Sequence, residues 1–257
     1  MNFTFALAQF ELFVLILIRL ASFVFAAPFF NMANVPNRVK IGFSFCLAIM
    51  VYSLFPDMSV EYNGMIEYAI IVVQEVIVGI LLGAVSSFCV QIIMFSGKII
   101  DMDIGISMAQ LYDPTTRMQV GIMGNFYYYM MMLLLIISGM HQYLVSAIIE
   151  TYRVIPIGGV KFGAGIYTGI IGFMSDFFVI GFRIALPVFA AILMLNCILA
   201  ILAKVSPQMN MFVVGMQLKI FVGIFVILFK ISMLPSVSNF ILDEIERMFA
   251  MLVRSMS

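Results

Sequence analysis

The sequence predicts an all-α integral membrane protein with about six long hydrophobic helices in hairpins and an amphipathic helix at its C-terminal end. Composition, run length and periodicity each point there. Of the 257 residues, 64% are hydrophobic and 10% charged, with a mean hydropathy of +1.17, whereas soluble domains hold roughly 45–50% apolar and about 25% charged residues. So few polar side chains cannot clothe a water-exposed surface, and the apolar excess must face lipid or other apolar protein. The apolar runs are also far longer than the alternating segments of about ten residues that build barrel strands, and a helix satisfies its backbone N–H and C=O groups without water.

In chain order, the first run covers 10–30 and the second 41–55, which is short for a span of about 20 residues. No basic stretch precedes the first run, so it is expected to remain as the first helix. The runs 66–95 and 122–149 are each long enough to cross. The run 165–205 exceeds one simple span and contains Pro187, so it must kink, tilt or divide. The last run, 211–234, stops before Pro235. Beyond it Val237, Ile241, Ile245, Met248, Phe249 and Leu252 recur at helical spacing opposite Asp243, Glu244, Glu246 and Arg247, the pattern of an amphipathic helix lying on a membrane surface or a partner subunit. The loop charges orient the first three helices consistently. Arg153 and Lys161 then fall against the bias, so topology is not fixed by charge.

Function classes narrow from the same inventory. Thirteen Lys plus Arg balance thirteen Asp plus Glu, which leaves no basic face for nucleic acid. Cys46, Cys89 and Cys197 stand alone in apolar runs, the lone His141 has no ligating company, and no nucleotide-binding loop, H-E-x-x-H or G-x-S-x-G occurs. No cofactor, metal or catalytic residue is expected, and the chain reads as a non-enzyme.

Charges within apolar helices stand out because they are costly there. Asp176 and Arg183 share one face of the fifth run, as do Lys219 and Lys230 in the sixth. As buried charges they either line a solute path, which would make the chain a secondary transporter, or pair with charges on neighbouring helices or subunits. Glu75, Gly79, Gly83 and Ser87 follow at four-residue steps, a small-residue face for close helix packing with a carboxylate at its end able to pair across the contact. The stretch 97–124, GKIIDMDIGISMAQLYDPTTRMQVGIMG, joins four glycines and an Asp113-Pro114 turn to sticky apolar side chains. It reads as a segment that packs into a concavity or moves. An ordinary re-entrant or interfacial loop is the plainer alternative. The many methionines are adaptable packing, suited to a compliant seal.

Several of these features, in order, resemble the FliR-type subunit of the bacterial flagellar export gate, also found as the T-type subunit of injectisome type III secretion. Arg19, Pro28, Pro36 and Lys40 are similar to that family's spaced Arg, Pro, Pro and basic residue. Glu75, Gly79 and Gly83 resemble its E-x-x-x-G-x-x-x-G helix, and Gly97, Asp101, Gly105 and Asp113-Pro114 its central loop. Pro207, Gln208, Asn210, Phe212, Gly215, Lys219 and Gly223 are similar to P-Q-x-N-x-F-x-x-G-x-x-x-K-x-x-x-G, the most specific block.

The resemblance implies a structural, pore-forming export subunit in the bacterial inner (cytoplasmic) membrane, at the flagellar basal body, packed in a helical multi-subunit assembly. It would join P-type and Q-type subunits, with a switch-type (FlhB-like) and a large (FlhA-like) export-gate subunit nearby, and would pass unfolded exported proteins. The single membrane domain 1–257 would comprise a P-like part, 1–160, and a Q-like part, 165–257. The stretch 105–121 would be the plug of the pore, with Gly105 and Gly121 as hinges and Ile106, Met108, Leu111, Tyr112, Asp113 and Pro114 within it.

Overall fold

In a computed structural model, which describes residues 3–32, 34–56, 58–60, 62–105, 121–208 and 210–256, the chain is helical and no strand is present among those residues. Helices α1 (Phe3–Ala26), α2 (Asn37–Leu54), α3 (Met65–Ile104), α4 (Ile122–Ile137), α5 (Met140–Val154), α6 (Ala164–Val205), α7 (Met211–Lys230) and α8 (Leu234–Met256) follow in order, with a short 3-10 turn, Ile231–Met233, before α8. Five helical stretches are long and apolar enough to cross a membrane, or up to six if α4 and α5 count as one broken span. The all-α membrane fold expected from composition and run length is thus the fold observed.

Where boundaries differ from the sequence reading, the reason is local. The fourth run is not one helix. Gly139, at φ +79°, adopts the left-handed conformation open to glycine, and α4 and α5 meet there at a bend of 66°. The fifth run stays a single 42-residue helix with Pro187 inside it. Helix α3 continues through Gly97 to Ile104, so the loop begins eight residues later than the glycine pattern suggests. Pro235 falls in the first turn of α8, where its missing N–H has no helical partner to lose.

The residues group into two compact units, one of Met1–Cys89, Ile136–Phe173 and Leu242–Ser257, the other of Val90–Leu135 and Met174–Ile241. Each unit draws on chain from both sides of residues 160–165.

In the first unit α1 packs along α2, with Phe13 edge-on to Phe45 and Tyr52 at 5.5 and 6.1 Å between ring centres. Lys40 is buried on α2, donating to Asn31 Oδ1 at 3.3 Å and lying over the Phe25 ring. The amphipathic stripe of α8 is covered by this chain itself: Ile245, Met248, Phe249 and Leu252 are buried, and Phe249 meets Phe23 of α1 edge-on at 6.4 Å. The membrane surface or partner subunit expected for that stripe is therefore not needed to bury it. The chain end is tied down as the Lys161 N–H donates to the Met256 carbonyl at 3.0 Å.

In the second unit Phe95 of α3 lies against Gly181 of α6, within a cluster formed with Phe177, Phe178 and Phe182.

The close approach of α1 and α3 depends on glycine. A Cβ on Gly79 would fall 1.9 Å from Ser22 Oγ and 2.4 Å from the Arg19 carbonyl oxygen, and one on Gly83 would sit 2.8 Å from the Phe23 carbonyl oxygen. Ser22 could rotate away; the backbone oxygens could not. Gly79→Ala is expected to destabilise the chain by about 1–3 kcal/mol through this overlap. Gly172, which has open space around its Cβ position, is the control: Gly172→Ala should leave stability unchanged or raise it by up to about 1 kcal/mol through helix propensity. Thermal unfolding in detergent, followed by circular dichroism, checks the pair, and equal midpoints would refute the packing argument.

Candidate functional site

Two constellations gather part of the residues singled out by the sequence. The first is a buried ion pair. Arg19 on α1 and Glu75 on α3 are both fully buried, and the guanidinium grips the carboxylate through Nε to Oε2 and through Nη2 to Oε1, the latter at 3.0 Å. Arg19 Nη1 also donates to the Ile155 carbonyl at 3.0 Å, and the Gly158 N–H donates to Glu75 Oε1 at 3.1 Å. Tyr152 closes the group from one side. Its ring lies 4.4 Å from Arg19 Cζ, and its hydroxyl donates to the Ile16 carbonyl at 3.1 Å. Helical phase brings this about, because Gly79 and Gly83 stand one and two turns beyond Glu75 on the same face and let α1 in. Ser87, a further turn along, is half-buried.

The second constellation is the base of the loop 105–121. Helix α3 ends at Gly105, whose φ of +87° is a left-handed stop, with its N–H on the Met102 carbonyl at 3.1 Å. One turn earlier Asp101, buried, accepts the Met123 N–H at 3.0 Å and the Gly124 N–H at 3.1 Å, so a carboxylate of the outgoing helix caps the start of the returning one. Those first-turn N–H groups have no intrahelical partner, and a negative charge favours the positive end of the helix dipole. Gly97 makes the contact possible: a Cβ there would lie 2.3 Å from Gly124 Cα. A Cβ on Gly121 would lie 2.7 Å from Asp101 Oδ2. The chain thus leaves at Gly105 and returns at Gly121 beside a carboxylate one helical turn away. Ile106, Met108, Leu111, Tyr112, Asp113 and Pro114 lie outside the described residues.

The motif block places as follows. Pro207 and Gln208 are exposed in the turn between α6 and α7, with Asn210 just before α7. Phe212 belongs to the first turn of α7, its side chain outside the described residues. Gly215, Lys219 and Gly223 share one face of α7. There Gly215 faces Leu199 of α6, while a Cβ on Gly223 would come within 2.5 Å of the Ile104 side chain. The helix that carries the motif thus presses on the last turn of α3, next to where the loop departs.

The four charges of the two stripes are not enclosed. Asp176, Lys219 and Lys230 are half-buried and Arg183 is exposed in the lone chain. Lys230 donates to the Ile184 carbonyl, in the stretch of α6 that Pro187 disturbs by removing a donor. Among the described residues the fully enclosed charges are instead Arg19 and Glu75, and of these two Glu75 carried a local signal of pairing. Outside the spans, the Tyr62 hydroxyl donates to the Glu11 carboxylate, which holds the phenol above its ordinary pKa.

Cys46 and Cys197 are exposed, Cys89 is buried, and all are free thiols. Among the described residues no three His, Cys, Asp or Glu side chains come together to hold a metal ion.

An all-α membrane protein whose buried polar contacts fix helices and the base of a loop is the class that fold and site define. Comparison narrows it. A family model described as bacterial export proteins, family 1, matches residues 10–245. The chain belongs to that family, in agreement with the resemblance read from motif order. Similar relatives are the flagellar biosynthetic proteins FliR of Buchnera aphidicola subsp. Schizaphis graminum, 30% identical with 84% of each chain covered, and of Bacillus subtilis, 28% identical with 88% of each covered. That of Escherichia coli K12 is 26% identical over 81% of this chain and 79% of its own.

Removing one member of a buried ion pair leaves an uncompensated charge, which costs about 3–5 kcal/mol. Arg19→Ala and Glu75→Ala should each abolish accumulation in the membrane or sharply lower the thermal midpoint. The double variant Arg19→Met with Glu75→Leu, apolar at both positions, should recover a large part of either loss. A double variant as impaired as the sum of the singles would argue against a coupled pair.

Proposed function

We propose that the chain is a non-catalytic, structural subunit of the flagellar type III export apparatus in the bacterial inner membrane. Together with other subunits it surrounds a path for unfolded proteins, and its loop 105–121 plugs that path. The observation that carries the loop's role is the Asp101 clamp. A glycine-bounded stretch that leaves and returns at one fixed point can act on a passage without recruiting the helices that hold it. Membership of a bacterial export family and the flagellar names of its relatives support the setting.

Helix lengths support assembly with other chains. At 1.5 Å per residue the 42-residue α6 is about 63 Å long and the 40-residue α3 about 60 Å, twice a hydrocarbon core of about 30 Å. Yet α6 carries exposed apolar residues from Tyr167 to Val205. Lipid can cover only part of such a face, and the remainder requires protein. P-type and Q-type subunits are the neighbours this reading assigns, with the switch-type and large export-gate subunits close by. The stretches 1–160 and 165–257 then stand as P-like and Q-like sequence halves. A secondary transporter is the weaker reading, because Lys230 is spent on a backbone carbonyl and Arg183 is exposed.

Two measurements test this. Deleting the gene should abolish flagellar protein export and motility, with both restored by the wild-type chain. Removing 105–121 from the complementing chain should raise the inner membrane's permeability to small ions and solutes, read by growth in high salt or by dye uptake. Asp101→Ala should give a milder leak than that deletion, with Asp101→Asn milder still, since the amide oxygen keeps one acceptor for the α4 N–H groups. Unchanged permeability in the deletion would refute the plug.

A further inference from the structure

Beyond the contact of Phe95 with Gly181, α3 and α6 part to leave a groove of about 740 Å³ within the second unit. On the α6 side Phe182, Leu186, Phe189 and Leu193 follow at steps of four, three and four residues, one continuous helix face, and each is about half exposed. On the α3 side Ile99 and Asp103 stand one turn apart. Asp103 Oδ2 is buried yet has no hydrogen-bond partner. Among the described residues four buried side-chain polar atoms share that condition, but the others belong to Tyr127, His141 and Ser238, and only Asp103 offers a carboxylate oxygen. Lys219 on α7 is near enough for its charge to act on Asp103 but makes no hydrogen bond to this oxygen.

An orphan carboxylate oxygen at the edge of an apolar groove is unfavourable until a donor reaches it. Burial without a hydrogen bond costs a polar group a few kcal/mol by itself and a charge more. From this geometry we infer that the groove receives an apolar helix of a partner membrane protein carrying a single Lys or Arg, whose cation donates to Asp103 while the surrounding side chains fill the face of Phe182, Leu186, Phe189 and Leu193. The inference rests on the export-subunit reading for the existence of partner chains. Protein is favoured over an amine-bearing lipid because the 42-residue α6 is about twice as long as a hydrocarbon core is thick, and its apolar residues stay exposed beyond the groove, on another side of the helix, at Ile198, Ile201, Leu202 and Val205.

The test uses the full chain at native level in its own membrane, in a strain lacking the chromosomal copy. A photo-activated crosslinking amino acid replaces Ala190, which lines the groove, and adducts are mapped by mass spectrometry. The expected adduct is a hydrophobic segment of another protein that contains a Lys or Arg. Its yield should fall roughly tenfold with Asp103→Asn, the loss of one charge-assisted hydrogen bond, and persist with Asp103→Glu. Replacing the mapped basic residue by Ala in the partner should lower the yield to the same degree with this chain untouched, so misfolding of Asp103→Asn cannot imitate the result. A phospholipid adduct, an adduct to a second copy of this chain, a segment without a basic residue, no adduct, or a yield indifferent to both substitutions would each overturn the proposal. Export measured in the same strains is a separate readout. Failure of the wild-type chain to restore it would sink the export reading, whatever the crosslink shows.

Discussion

Arg19 and Glu75 meet where no water can share their charge, and that constraint organises the first unit. Taking a guanidinium and a carboxylate out of water costs several kcal/mol each, which their attraction offsets only when geometry and remaining hydrogen bonds are complete. Completeness here draws in three parts of the chain. The pair itself joins α1 to α3, the Ile155 carbonyl and the Gly158 N–H bring in the segment after α5, and Tyr152 covers the guanidinium and reaches Ile16. Residues 56 and 136 positions apart are thereby held to about 3 Å. None of this could form if α1 stood off, so the small residues at 79 and 83 and the ion pair are one device. The glycines set the distance between helices, while the charges set their register.

That division explains what could be read in advance. The stripe Glu75, Gly79, Gly83 is a pattern within one helix, and patterns at helical spacing are visible in a sequence. Its partner Arg19 stands out in the sequence only as one of the spaced residues of the resemblance, since pairing across 56 positions follows from packing and not from spacing. The apolar runs likewise announced helices, but not that the fourth would break at Gly139 or that α3 would absorb Gly97. A glycine in a hydrophobic run signals equally a turn and a place where another backbone comes close. Gly139 is the first and Gly97 the second, and the difference lies in φ and in Gly124. The tail was readable as amphipathic, but a periodic stripe carries no information on what covers it. Lipid, a partner and Phe23 of the same chain are chemically alike to Phe249.

The charges on α6 and α7 show the same limit from the other side. In the first unit Arg19 and Glu75 are enclosed, and in the second Asp101 and Lys230 bond to backbone groups of the chain. On α6 and α7, however, Asp176, Lys219 and Lys230 are half-covered and Arg183 is exposed, on helices that also carry exposed apolar residues. A chain folded to stand alone in lipid would not leave both kinds of group uncovered on helices twice as long as the hydrocarbon core is thick. The second unit's exposed apolar and half-covered charged side chains are what the proposed assembly would cover.

The loop's base follows from these constraints. In water a helix N-terminus can leave its first N–H groups to solvent; in a dry setting they need a built-in acceptor. Asp101 supplies it from the preceding helix, so the start of α4 and the end of α3 are positioned by each other rather than by the residues between them. Gly223 presses α7 onto the same turn of α3, and Gly97 brings the backbone of α4 against it. Three helices therefore fix the two points at which 106–120 is attached. The Asp101 carboxylate is the hydrogen-bonded link between those two points, and the close contacts at Gly97 and Gly223 hold the helices that carry it.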